Sequence, residues 1–108
     1  MTKQDETRKY LPLSEATYYI MMALVEPLHG YAVMQKIERV SQGTVRVGPG
    51  TLYGVFDNLE ASGLIEMVKE EDRRKSYALT AKGREVLLSQ IKRLEIMTSV
   101  GSAVVNRL

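Results

Sequence analysis

The stretch Gly48-Pro49-Gly50-Thr51-Leu52-Tyr53-Gly54-Val55-Phe56-Asp57-Asn58-Leu59-Glu60-Ala61-Ser62-Gly63 decides how this chain is read. Pro49 suits the first position of a helix, where a missing N–H costs nothing and φ is already helical, and Gly48 before it is a tolerated N-cap. Gly63 can adopt the left-handed conformation that closes a last turn. Leu52, Val55, Phe56 and Leu59 recur at i, i+3, i+4 and i+7, so one stripe of this helix is apolar and faces a core. The opposite side carries Gly50, Tyr53, Gly54, Asp57 and Ala61, flanked by Thr51 and Asn58. A helix that enters the DNA major groove needs such a small, polar surface. The groove is only about 12 Å wide, and its base edges are met by the N-terminal residues of the inserted helix. An ordinary amphipathic helix shows the same pattern, so the neighbouring segments must decide.

On the N-terminal side, residues 1–9 are polar and mixed in charge and are expected to form a flexible arm within residues 1–12, with Lys3, Arg8 and Lys9 as its cations. Leu13 and Ser14 then start a helix with Ser14 as N-cap. Its stripe of Ala16, Tyr19, Ile20, Ala23 and Leu24, widened by Met21, Met22 and Val25, requires burial on more than one side. Pro27 limits this helix, and Leu28-His29-Gly30 turns into a second one over about Tyr31–Val40, with Val33, Met34 and Ile37 inward. His29 has no nucleophile or orienting partner in the pattern and reads as a capping or packing residue at the turn. Thr44-Val45-Arg46-Val47 is a short extended link or edge strand. Three helices joined by short connections fit a helix-turn-helix.

After Gly63 the periodicity becomes alternating. Leu64, Ile65, Met67 and Val68 make one strand, and Lys75 to Leu79 a second, with Tyr77 and Leu79 inward. The expected hairpin tip, Lys69-Glu70-Glu71-Asp72-Arg73-Arg74-Lys75, is charged throughout. A charged tip is commonly a solvated loop. Beside a groove helix, its cations Lys69, Arg73, Arg74 and Lys75 could instead lie on phosphates, joined by Lys36 and Arg39 of the second helix. Thr80 caps a final helix from about Ala81 towards Leu108, on the order of 40 Å long and longer than a small core can cover. Leu87, Ile91, Leu94, Thr98, Gly101, Val105 and Leu108 follow a heptad spacing along it, the pattern of a seam that needs a partner helix.

The chain of 108 residues is 44% hydrophobic and 26% charged, which fits one domain: residues 13–80 as the DNA-binding unit and 81–108 as a dimerisation helix. No run of about 18 apolar residues and no apolar leader are present, so no membrane span is expected and the cytoplasm is the expected compartment. With no cysteine and one histidine, disulfides, thiolate chemistry and a cysteine or histidine metal cluster are excluded, and no cofactor is expected. A net charge of +2 permits nucleic-acid binding without arguing for it.

Four motifs, Leu28-His29-Gly30-Tyr31, Gly48-Pro49-Gly50-Thr51-Leu52-Tyr53, Leu59-Glu60-Ala61-Ser62-Gly63-Leu64-Ile65 and Asp72-Arg73-Arg74-Lys75-Ser76-Tyr77-Ala78-Leu79-Thr80-Ala81-Lys82-Gly83, together resemble the PadR family of bacterial transcriptional regulators, over about Ser14 to Leu88. The resemblance implies a mainly α fold with a small β-hairpin, an α+β winged helix-turn-helix with a long C-terminal dimerisation helix. It further implies a homodimeric repressor at a palindromic operator in double-stranded DNA. It puts the groove helix at Pro49 to Ser62, with Thr51 and Tyr53 at DNA-contact positions, and the wing at Lys69 to Lys75; the outward pattern of the helix itself adds Gly50, Gly54, Asp57 and Asn58 as candidate contacts. Gly48 departs from the Ser often found there. The groove helix carries no Lys or Arg, so specificity is expected from Tyr53, Asn58, Asp57 or DNA shape. Some short members of the family bind planar, hydrophobic or cationic compounds between the helices of the dimer. An alternative reading is therefore a regulator that senses a small hydrophobic effector in a pocket of Tyr18, Tyr19, Met21, Met22 and Met97. A winged helix used only for protein contacts would show an apolar outer face, which Tyr53, Asp57 and Asn58 speak against. An enzyme lacks support, because no paired carboxylates, phosphate loop or nucleophile set is present.

Overall fold

The computed structural model describes residues 3–108, with side chains from residue 6 onward. The Lys3 side chain, named above as an arm cation, lies outside the described residues. Three helices build the centre: α2 (Glu15–Ala23), α3 (Gly30–Val40) and α4 (Pro49–Ala61). Each starts as its sequence directs. Ser14 Oγ accepts from Thr17 N at 3.1 Å, and His29 Nδ1 accepts from Ala32 N at 3.4 Å, so the lone histidine is a helix cap. α4 begins with Pro49 after Gly48, which supplies no side-chain bond. It ends where Gly63, at φ +74°, lets Leu64 N reach back to Leu59 O at 2.9 Å. Leu52, Phe56 and Leu59 are buried against Ile20, Leu24, Val33 and Ile37, so the apolar stripe of α4 is its inner face.

Among the described residues the sheet has three strands, and the third beside the expected hairpin is Leu28–His29, expected as a turn, rather than the link at Thr44–Val47. β1 (Leu28–His29) pairs with β3 (Arg74–Leu79), which pairs with β2 (Ile65–Glu71), all antiparallel, in the order β1-β3-β2. Leu28 faces Tyr77 and His29 faces Ser76. The hairpin tip is also shorter than its charge run suggested. Only Asp72 and Arg73 turn, both at positive φ (51° and 66°), as a two-residue turn matched to strand twist requires. The flanking charges are in the ladder, with Glu71 opposite Arg74 and Glu70 opposite Lys75, and a bulge falls between Met67 and Lys69.

α5 (Ala81–Val104) starts at Thr80, whose Oγ1 accepts from Gly83 N at 3.0 Å and donates to Gly63 O at 2.6 Å. A single 3₁₀ turn (Val105–Arg107) ends the chain. Val86, Leu87 and Gln90 of α5 are buried, and Gln90 Oε1 accepts from Leu13 N at 2.9 Å. The expected arm is corrected: Lys3–Arg8 forms a short helix, α1, packed on α5, and Thr7 is buried there. Thr44–Val47 is an extended link and not a strand. Val45 and Val47 are buried, and Ser41 Oγ accepts from Val45 N at 3.1 Å and donates to its carbonyl at 3.2 Å.

Candidate nucleic-acid interface

With its stripe buried, α4 turns Gly50, Thr51, Tyr53, Gly54, Asp57, Asn58 and Ala61 to solvent. Six of these, all but Ala61, are the recognition-helix residues expected from sequence. Phe56 ties this helix to the wing. Its ring stands 4.8 Å from that of Tyr77 on β3 and edge-on to Tyr53 at 6.0 Å. The wing is thereby held beside the outer face of α4. Between them and the start of α3 lies an open cleft of about 450 Å³. Tyr53 and Asp57 enter it from α4, Arg73, Arg74 and Lys75 from the wing, and His29, Gly30 and Tyr31 from the β1–α3 junction. Tyr31 and Tyr77 were not singled out as site residues from sequence. Tyr31 follows the His29 cap directly, and Tyr77 was read only as an inward strand position.

The charges at this face are mixed. Lys69 pairs with Glu71 at 2.9 Å and does not line the cleft. Burial, and then the carboxylates of Glu60, Asp57 and Glu70, push the Tyr77 phenol above its ordinary value. Lys36 and Arg39 lie along α3, outside the cleft, with Lys36 half-buried and Arg39 exposed. Arg46, which sequence reading passed over, is exposed between buried Val45 and Val47 and pairs with Glu38 at 3.4 Å. In-out alternation through the link is the signal that would have found it.

The expected effector pocket divides. Tyr18, Tyr19 and Met97 line a cavity of about 310 Å³ with Leu13, Gln90 and Leu94. Met21 does not, because it is fully buried among the core residues, and Met22 does not reach the cavity either. The expected seam divides too. Leu87 is buried in the domain's own core and Ile91 packs against it, so the proximal end of the heptad is already covered. The large exposed side chains of the distal half are Ile96, Met97, Val100, Val104, Val105 and Leu108, of which Val105 and Leu108 belong to the heptad and the other four lie outside it. Among the described residues, no helix is long and apolar enough to cross a membrane, and no group of acidic or histidine side chains is arranged to hold a metal.

Three packed helices, the last with a small polar outer face, followed by a hairpin stacked beside that face, define a winged helix-turn-helix. The chain belongs to the PadR-like family of transcriptional regulators, which its residues 20–89 match. It is 43% identical over 75 residues to an uncharacterized 37.1 kDa protein in transposon TN4556 of Streptomyces fradiae, covering 68% of this chain and 21% of that one. It is 33% identical over 69 residues to the transcriptional regulator YqjI of Escherichia coli strain K12, covering 64% of this chain and 33% of that protein. The chain thus spans between a fifth and a third of the length of these relatives. In fold it is similar to a transcriptional regulator from Clostridium thermocellum, with TM-score 0.69 and 23% identity over 92% of this chain and 96% of that one.

Proposed function

We propose that the protein is a homodimeric, sequence-specific DNA-binding repressor acting at an inverted repeat. The observation that carries this reading is the pairing of a slender, cation-free outer face on α4 with a wing whose Arg73, Arg74 and Lys75 open onto the same cleft. The helix face fits a major groove, and the wing cations fit the flanking phosphates. The dimer rests on α5. Its 24 residues run about 36 Å, and beyond Leu94 the side chains of Ile96, Met97 and Val100 are each more than 60% exposed. Thr98, Gly101, Ser102 and Val105 line a shallow groove of about 370 Å³ on this half, where small residues permit a second helix to approach closely. A second copy covers both features. Two α4 helices related by a two-fold axis then enter successive major grooves about 34 Å apart.

The test is the salt dependence of duplex binding. Contacts from Lys36, Arg39, Arg73, Arg74 and Lys75 in two protomers, neutralising roughly 6 to 8 phosphates, correspond to a log–log slope of about −5 to −7. A flat response contradicts the reading. The cavity lined by Tyr18, Tyr19 and Met97 supports a second reading, in which the regulator also takes a small hydrophobic effector. An environment-sensitive dye that stays dark with the purified protein counts against it.

A further inference from the structure

Tyr53 belongs to the outer face of α4, yet its phenol leans onto the start of α3. The hydroxyl lies over Gly30, where a Cβ would stand only 2.5 Å from it and 3.0 Å from Leu52 Cδ2. Gly30 is itself buried at the start of α3, and its lack of a side chain is what admits the phenol. The ring is further held edge-on to Phe56 at 6.0 Å. Tyr53 is therefore drawn toward α3 and the wing, into the cleft that Arg73, Arg74 and Lys75 also line. Base edges offer neutral donors and acceptors, and in a duplex only the backbone is anionic. Three cations and a phenolic donor around one cleft match a phosphodiester, to which an O–H donates a short, charge-assisted bond. Asp57 is the one carboxylate among the lining residues, and it faces the same space from α4.

We propose that Tyr53, admitted by Gly30, grips a backbone phosphate of the operator together with Arg73 and Arg74, so that it positions the protein and does not read sequence. This rests on the DNA-binding reading above. Base discrimination then falls to Thr51 and Asn58, whose exposed positions lie outside the cleft.

The experiment compares affinity for a selected operator and for a scrambled duplex of equal length, using wild type, Tyr53→Phe, Gly30→Ala and Asn58→Ala. Tyr53→Phe keeps the ring packing and is expected to weaken both duplexes by the same factor, about tenfold, leaving their ratio unchanged. Gly30→Ala displaces the phenol and is expected to do the same with a folded thermal transition. Asn58→Ala lowers the ratio. Replacing one phosphate per half-site by a neutral methylphosphonate reproduces the loss in wild type and adds nothing in Tyr53→Phe, since both remove the same contact. The inference is overturned if Tyr53→Phe lowers the operator-to-scrambled ratio, or if every methylphosphonate position adds its full effect to the mutation. Wild type that binds no duplex at all overturns the DNA-binding reading itself.

Discussion

Replacing Gly83 by alanine sets two physical effects of opposite sign against each other. Gly83 lies in the first turn of α5, where helix propensity alone favours Ala by about 1 kcal/mol. The structure leaves no room for the methyl group, because a Cβ there would collide with the carbonyl oxygen of Leu64, a backbone atom that cannot swing aside. That same oxygen accepts from Thr80 N at 3.0 Å. Relief of the overlap therefore shifts α5 or the entry to β2, at about 1–3 kcal/mol for overpacking, and weakens a hydrogen bond worth about 1 kcal/mol. Subtracting the propensity gain leaves a destabilisation of about 1–3 kcal/mol, or a melting temperature lower by about 4–12 °C for a domain of this size. Urea unfolding at fixed protein concentration measures it, with concentration held because the midpoint of an oligomer depends on it. A Gly83→Ala protein as stable as wild type, or more so, would refute the close approach of α4's exit to α5.

Two further outcomes follow from the same geometry. The phenol of Tyr77 is raised by burial and by Glu60, Asp57 and Glu70, so the folded state holds its proton more tightly than the unfolded chain. Its contribution to stability is fully present below the unfolded value of about 10 and is lost as pH rises through the folded value. The stability difference between wild type and Tyr77→Phe should shift above pH 10 in the direction of wild-type loss, and a difference flat through that range would contradict it. Val100→Glu places a charge on the exposed distal half of α5 and should leave the fold intact while weakening self-association at least tenfold, measured by sedimentation equilibrium. An unchanged association constant would remove that face from the dimer contact.

Much of the helical frame was legible because its signals are local. The stripe of Leu52, Phe56 and Leu59, the caps at Ser14, His29 and Thr80 and the stop at Gly63 each depend on residues within a turn or so of one another. Features made by distant partners were hidden. The two residues of β1 are strand only because Tyr77 and Ser76 lie opposite. The helix at Lys3–Arg8 has too short a pattern to show, and its packing on α5 supports it. A run of charges cannot reveal that Glu70 and Glu71 are paired in a ladder and that Asp72 and Arg73 alone turn. Leu87 carries the heptad spacing, but the same spacing serves the domain's own core. Tyr53 was legible as an exposed residue of the groove helix. Its seat over Gly30 was not, because that contact joins two helices far apart in sequence.

The proposal that two copies place their α4 helices in successive grooves is tested most directly by selecting bound fragments from random duplex DNA with the purified protein. The expected result is enrichment of an inverted repeat whose half-sites lie about 10 base pairs apart, centre to centre. Recovery of fragments with no shared sequence, or of single half-sites without a symmetric mate, would contradict it.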